Sequence, residues 1–127
     1  MTPVVVDASA MVAVIFQEPG FEQVVERLEG AAVFAPMLLK YELANVAVTK
    51  ARRQPRDAPR IIAALAAALD DRSDINWHDV DAADVALIAA TAGITAYDAS
   101  YLWLAGTLGA DLVTLDKKLV RAVDSSA

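Results

Sequence analysis

The chain of 127 residues contains no cysteine and only one histidine, His78. Without cysteine there can be no disulfide bonds and no thiolate metal sites. A single histidine also argues strongly against histidine-based zinc sites and Ser-His-Asp triads. Any metal site in this chain must therefore be built from oxygen ligands, which select hard cations such as Mg²⁺ or Mn²⁺.

Long apolar runs are also missing. The longest uninterrupted run, residues 61–69, is far shorter than the roughly 18–20 residues that span a bilayer. The apolar start of the chain lacks a basic segment and contains Asp7, which argues against a signal peptide. We therefore expect no membrane segment and a cytoplasmic location. The length and the 57% hydrophobic content predict one domain over residues 1–127 with a sizeable core.

Four acidic residues lie at the edges of apolar segments, where an unpaired carboxylate is costly. Asp7 and Asp116 each directly follow a short apolar run. Glu42 interrupts an apolar stretch, and Asp98 precedes another. Each acid alone also has a plainer explanation, such as a helix cap, a turn or a solvated helix face. If the four converge, too few cations are nearby to pair them, and a divalent metal with phosphoryl-transfer chemistry is the economical explanation.

Hydrophobic periodicity predicts strands that alternate with helices, which is typical of an α/β fold with a parallel sheet. In such sheets ligands bind beyond the carboxyl ends of the strands, where the acids could meet. Predicted strands cover residues 4–7, 32–35, 75–78 and 112–114, and predicted helices cover 9–16, 21–28, 36–52, 59–70, 82–92, 98–107 and 117–123.

Four short motifs together resemble the PIN-domain family, specifically the VapC-like ribonuclease toxins of toxin–antitoxin pairs. They are VVDAS at 5–9, YELAN at 41–45, YDASY at 97–101 and TLDKKL at 114–119. The resemblance spans nearly the whole chain and implies a three-layer α/β/α domain with a central, mostly parallel sheet. It assigns the family's acidic quartet to Asp7, Glu42, Asp98 and Asp116, and its accessory polar positions to Ser9, Asn45 and Thr114.

The resemblance implies an endoribonuclease in which the four acids bind one or two Mg²⁺ or Mn²⁺ ions. A metal-activated water would then hydrolyse the RNA phosphodiester. It also implies a VapB-like antitoxin as partner, with a helix laid in an apolar groove for which Met11, Val12 and Phe16 are candidates. Homodimerisation is typical of similar toxins.

The net charge of −6 is unusual for an RNA-binding protein, but the basic residues are clustered. Candidate RNA contacts are Lys50, Arg52 and Arg53 in a basic run that continues to Arg60, and Lys117 and Lys118 beside Asp116. Two other functions stay open from the sequence. One is a different Mg-dependent phosphatase or hydrolase, although a haloacid-dehalogenase-like enzyme needs an acid where Ser9 stands. The other is a non-catalytic domain that binds metal and a partner.

Overall fold

The computed structural model describes residues 1–126, which form four strands and seven α-helices. A single 3₁₀ turn, Pro55–Asp57, lies between the third and fourth helices. The strands are β1 (Thr2–Val6), β2 (Ala31–Pro36), β3 (Ile75–His78) and β4 (Asp111–Val113). The helices are α1 (Ala8–Phe16), α2 (Phe21–Leu28), α3 (Leu38–Arg53), α4 (Ala58–Leu69), α5 (Ala82–Ala92), α6 (Ala96–Leu108) and α7 (Lys117–Ser126).

The four strands form one parallel sheet in the order β3-β2-β1-β4. Strand β1 is therefore central, with β2 on one side and β4 on the other. Its register pairs Val5 with Phe34 of β2 and with Leu112 of β4. Val5 and Val6 are fully buried, as expected for a strand covered on both faces. The predicted α/β class with a parallel sheet flanked by helices is confirmed.

The end of β2 differs from the prediction that Pro36 opens a helix. Pro36 is the last residue of β2, paired with His78, and α3 begins at Leu38. Proline is tolerated at this position because β1 pairs with β2 only as far as Phe34. The next amide, that of Met37, donates to the carbonyl of His78 at 2.9 Å. The strand therefore runs slightly further than its composition indicates.

The main core combines the buried strand residues with one face each of α1, α3 and α6. Helix α6 contacts β1, β2 and β4, and α5 packs against α6. Tyr101 and Leu104 of α6 are each 1% exposed and belong to this core. No single helix within residues 1–126 is long and apolar enough to cross a membrane; α5 and α6 reach that length only as a pair bent by 109°.

Candidate active site

The order of the strands reverses at β1, so the carboxyl ends of β1 and β4 lie side by side. The chain leaves β1 towards β2 on one side, while β4 lies on the other side of β1. In parallel α/β sheets such a reversal of strand order opens a binding site beyond the strand ends. Asp7 directly follows β1, and Thr114 directly follows β4, with Asp116 two residues further on. The backbone amide of Asp7 donates to the carbonyl of Val113 at 3.3 Å, which holds the two strand ends together.

Asp7 is the most buried acid of the chain, with 3% exposure. It caps α1, because its Oδ1 accepts from the amide of Ala10 at 3.0 Å. The same oxygen accepts from the Ser9 hydroxyl at 2.7 Å, and Oδ2 accepts from the Thr114 hydroxyl. The cap and the functional interpretation are therefore compatible: the bonds that begin the helix also orient the carboxylate.

A small hydrogen-bond network connects Asp7 to the loop after β4. Ser9 Oγ lies 3.2 Å from Thr114 Oγ1 and accepts from the amide of Leu115 at 2.9 Å. Thr114 Oγ1 accepts from the amide of Asp116 at 3.0 Å, and Asp116 Oδ1 accepts from the amide of Lys118 at 2.8 Å. Ser9 and Thr114 thus contact the Asp7 carboxylate and the backbone of the loop that carries Asp116, and their accessory role stays a prediction.

Glu42 and Asp98 enter the site from two different helices. Glu42 lies in the second turn of α3 and is half-buried, and its Oε1 accepts from the buried hydroxyl of Tyr101. Asp98 lies in the first turn of α6, where a carboxylate is favoured by the helix dipole. The cap of α6 is Thr95, whose hydroxyl accepts from the Asp98 amide at 3.0 Å. The carboxylate of Asp98 is therefore not used as a helix cap.

The four carboxylates interact electrostatically. Burial is the largest cause that raises the pKa of Asp7, Glu42 and Asp98. The charge of Asp116 raises the pKa of Asp7 and Asp98 further, and Asp98 and Asp7 raise that of Glu42. Hydrogen bonds partly oppose these effects, above all from Thr114 to Asp7 and from Tyr101 to Glu42. We call these four carboxylates the acidic cluster.

The other candidate residues lie at different distances from the acidic cluster. Lys118 is close enough that its charge lowers the pKa of Asp98. Lys50 lies eight residues beyond Glu42 on α3, about 12 Å along the helix axis, and is ion-paired with Glu18. Its neighbours Arg52 and Arg53 lie further still from Glu42. Asn45 is exposed, and its side chain makes no hydrogen bond within residues 1–126.

The donor atoms of the acidic cluster suit a hard divalent cation, since all of them are carboxylate oxygens. Their mutual repulsion is the kind that a bound cation relieves. Among the described residues, however, no three acidic or histidine side chains already stand close enough together to form a metal site. Histidine contributes nothing, because His78 lies in β3, where its ring contacts Phe34 with centroids 5.4 Å apart.

Sequence reasoning missed the role of Tyr101 at this site. Its ring lies in the core among apolar neighbours, but its hydroxyl reaches the site and donates to Glu42. The spacing could have indicated it, because Tyr101 lies three residues after Asp98 and hence on the same side of α6. The partner, Glu42, is 59 residues away and cannot be found from local pattern.

Comparisons with known proteins agree with this architecture. The model of the PIN domain family matches residues 4–124. The crystal structure of PAE2754 from Pyrobaculum aerophilum is similar, with a TM-score of 0.75 and 28% identity over 95% of this chain and 86% of that one. The sarcin-ricin-loop-cleaving toxin VapC20 of Mycobacterium tuberculosis shares the fold, with a TM-score of 0.66 and 16% identity over 94% of both chains. No curated protein sequence matches the chain.

Proposed function

Because the chain belongs to the PIN domain family, we propose that it is a metal-dependent endoribonuclease and the toxin of a VapBC-like toxin–antitoxin pair. The observation that carries the proposal is the acidic cluster: four carboxylates from four separate segments interact at the carboxyl edge of a parallel sheet. The similarity in fold to a toxin that cleaves the sarcin-ricin loop supports RNA as the substrate class. A cytoplasmic location belongs to the same proposal.

In this proposal Asp7, Glu42, Asp98 and Asp116 hold Mg²⁺ or Mn²⁺. When bound, the ion supplies the acidity that makes water a nucleophile at neutral pH. Ser9 and Thr114 orient Asp7 by donating to its two oxygens, and these bonds oppose the burial that raises its pKa. Tyr101 does the same for Glu42 from the opposite helix. No protein side chain has to act as the nucleophile, so the absence of cysteine and the distant histidine are compatible with the reaction.

The cations closest to the acidic cluster are the best candidates for contacts with RNA phosphates. Lys117 and Lys118 begin α7 directly after Asp116, are exposed, and have no ion pair among residues 1–126. The basic group at the end of α3 is a weaker candidate, since Lys50 is already paired with Glu18. We therefore propose that Lys117 and Lys118 contact the phosphates next to the cleaved bond, and that Arg52 and Arg53 contact more distant phosphates of the RNA.

The antitoxin also has a candidate binding surface. An apolar groove of about 550 Å³ lies between α1 and α4 beside β2 and β3, and its lining includes Met11, Ile15 and Leu28. Such a groove fits the apolar face of an amphipathic helix. Of the candidates from the sequence, Met11 lines this groove, while Phe16 lines a separate, more polar one that includes Lys50. We propose the VapB-like partner and the homodimer on the basis of the family resemblance.

The decisive experiment is cleavage of a mixed pool of cellular RNA by the purified, antitoxin-free protein, with Mn²⁺ and with EDTA. We expect discrete cuts that leave a 3′-hydroxyl and a 5′-phosphate, need the metal and disappear in Asp7→Ala. Asp71→Ala is the matched control, because it removes an exposed acid outside the acidic cluster. Cuts that persist in Asp7→Ala would point to a contaminating nuclease, and no cleavage of any RNA would favour the phosphatase or binding-domain alternatives.

A further inference from the structure

Two exposed tyrosines directly precede two residues of the acidic cluster in the sequence. Tyr41 is 75% exposed and directly precedes Glu42 on α3; Tyr97 is 66% exposed and directly precedes Asp98 on α6. Apart from Met1 and Leu87, no large hydrophobic side chain of residues 1–126 is as exposed. The chain has three tyrosines, and the third, Tyr101, is the one bonded to Glu42. All three are therefore associated with the two helices that carry Glu42 and Asp98.

The packing of the protein does not account for Tyr41 and Tyr97. Within the described part of the chain neither hydroxyl makes a hydrogen bond, and neither ring stacks on another ring or on a cation. Their neighbours Glu42 and Asp98 are half-buried, and each interacts electrostatically with Asp7. Because successive residues on an α-helix are about 100° apart, each ring stands beside its carboxylate instead of covering it.

We propose that Tyr41 and Tyr97 hold the RNA by stacking on the unpaired bases on the two sides of the scissile phosphate. The inference rests on the proposed nuclease function and assigns two base-binding residues to it. A phosphodiester that reaches the cluster passes between α3, with Glu42, and α6, with Asp98. Its two flanking nucleotides then lie near one tyrosine each. Aromatic side chains bind bases in this way only when the bases are unpaired.

Stacking also explains how a protein with a net negative charge could bind RNA. The chain carries a net charge of −6, and the acidic cluster itself repels phosphate in the absence of metal. A contact with the base does not depend on the charge of the backbone, and a tyrosine loses little conformational freedom when it binds. Two stacked bases would thus hold the strand in place where few cations are available. Binding should accordingly depend on salt only weakly compared with that of basic nucleases.

The test is binding of a fluorescent single-stranded RNA of randomised sequence to the full chain in EDTA, where cleavage is absent, measured by anisotropy. Alanine substitution of a stacking aromatic weakens binding by about 1–3 kcal/mol per base, so Tyr41→Ala and Tyr97→Ala should each raise the Kd roughly 5- to 150-fold. Tyr41→Phe and Tyr97→Phe keep the ring and should bind as the wild type does. Leu87→Ala, at 67% exposure on α5, is the control for loss of an exposed apolar side chain.

A second probe with the same sugar-phosphate backbone but without bases separates stacking from backbone contacts. The wild type should bind this abasic strand less tightly, and the alanine variants should lose nothing more on it. Alanine variants that bind the RNA with bases as tightly as the wild type would overturn the inference, as would phenylalanine variants as weak as alanine ones. If the alanine variants lose binding but the wild type cleaves no RNA with Mn²⁺, the nuclease proposal fails and the stacking surface stands.

Discussion

The hydrogen bond from Tyr101 to Glu42 allows a sharp test of how the site is held together. Tyr101→Phe removes one hydroxyl from a side chain that is 1% exposed and leaves the ring in the core. A hydrogen bond to a charged group contributes about 1.5–3 kcal/mol. For a chain of this length 1 kcal/mol corresponds to roughly 3–4 °C in Tm, so we expect a loss of about 5–12 °C in EDTA at pH 7.

The assay is thermal unfolding followed by circular dichroism, with two controls. Tyr97→Phe removes a hydroxyl without a partner from an exposed ring and should leave Tm unchanged. In a Glu42→Ala background Tyr101→Phe should cost little, because the hydroxyl has already lost its acceptor, and the coupling energy of the cycle should be about 1.5–3 kcal/mol. Equal losses of Tm in both backgrounds would refute the reasoning, because Tyr101 would then act through its packing alone.

Three further predictions concern the acidic cluster and its loop. Burial and the charges of Asp116 and Asp7 raise the pKa of Asp98. Ionised Asp98 therefore destabilises the folded state above that raised pKa, and this destabilisation disappears as the pH falls towards 3.8, the ordinary pKa of the side chain. Asp98→Asn should raise the Tm in EDTA at pH 7 but not at pH 4, and an equal shift at both pH values would contradict this. Mn²⁺ at a hundred times its Kd should stabilise the wild type by about 2.7 kcal/mol, while the Tm of Asp7→Ala should not respond. Gly20→Ala, at a φ of +95°, should cost about 1–2 kcal/mol in thermal unfolding through backbone strain, because its Cβ meets only the flexible end of Leu115, with Cδ1 at 2.8 Å. Gly93→Ala, with open space around its Cβ, should cost a similar amount, and a clearly larger loss for Gly20→Ala would show that Leu115 does not move aside.

Much of the fold could be predicted because the local sequence pattern of several elements agrees with their place in the structure. The spans of α2, β3 and α5 match the prediction from periodicity, proline and glycine positions. For α5 the reason is visible: Asp81 accepts from the amide of Asp84, and Gly93 takes the left-handed conformation that ends the helix. The strand order was not predicted, because it depends on which distant segments pair and sequence periodicity carries no information on that.

The members of the candidate site were easier to predict than their connections. Carboxylates at the ends of apolar segments stand out in a sequence, so the four acids could be named and their meeting place expected. The partners that orient them could be identified only in three dimensions: Thr114 reaches Asp7 across 107 residues, and Tyr101 reaches Glu42 across 59. Asn45 is the converse case, a residue predicted from its spacing that has no visible partner. It lies one helical turn from Glu42, but its side chain makes no hydrogen bond among the described residues.

The position of β4 has a consequence for the timing of synthesis. Asp7 is made 107 residues before Thr114, and both Thr114 and Asp116 follow β4, the last strand among residues 1–126. At about 5–20 residues per second, roughly 5–20 s of translation separate the first acid from the last. Until then β1 has one open edge, and Asp7 lacks both its Thr114 donor and its Asp116 neighbour. A chain whose translation is interrupted before β4 thus lacks both Asp116 of the acidic cluster and the Thr114 hydroxyl that donates to Asp7.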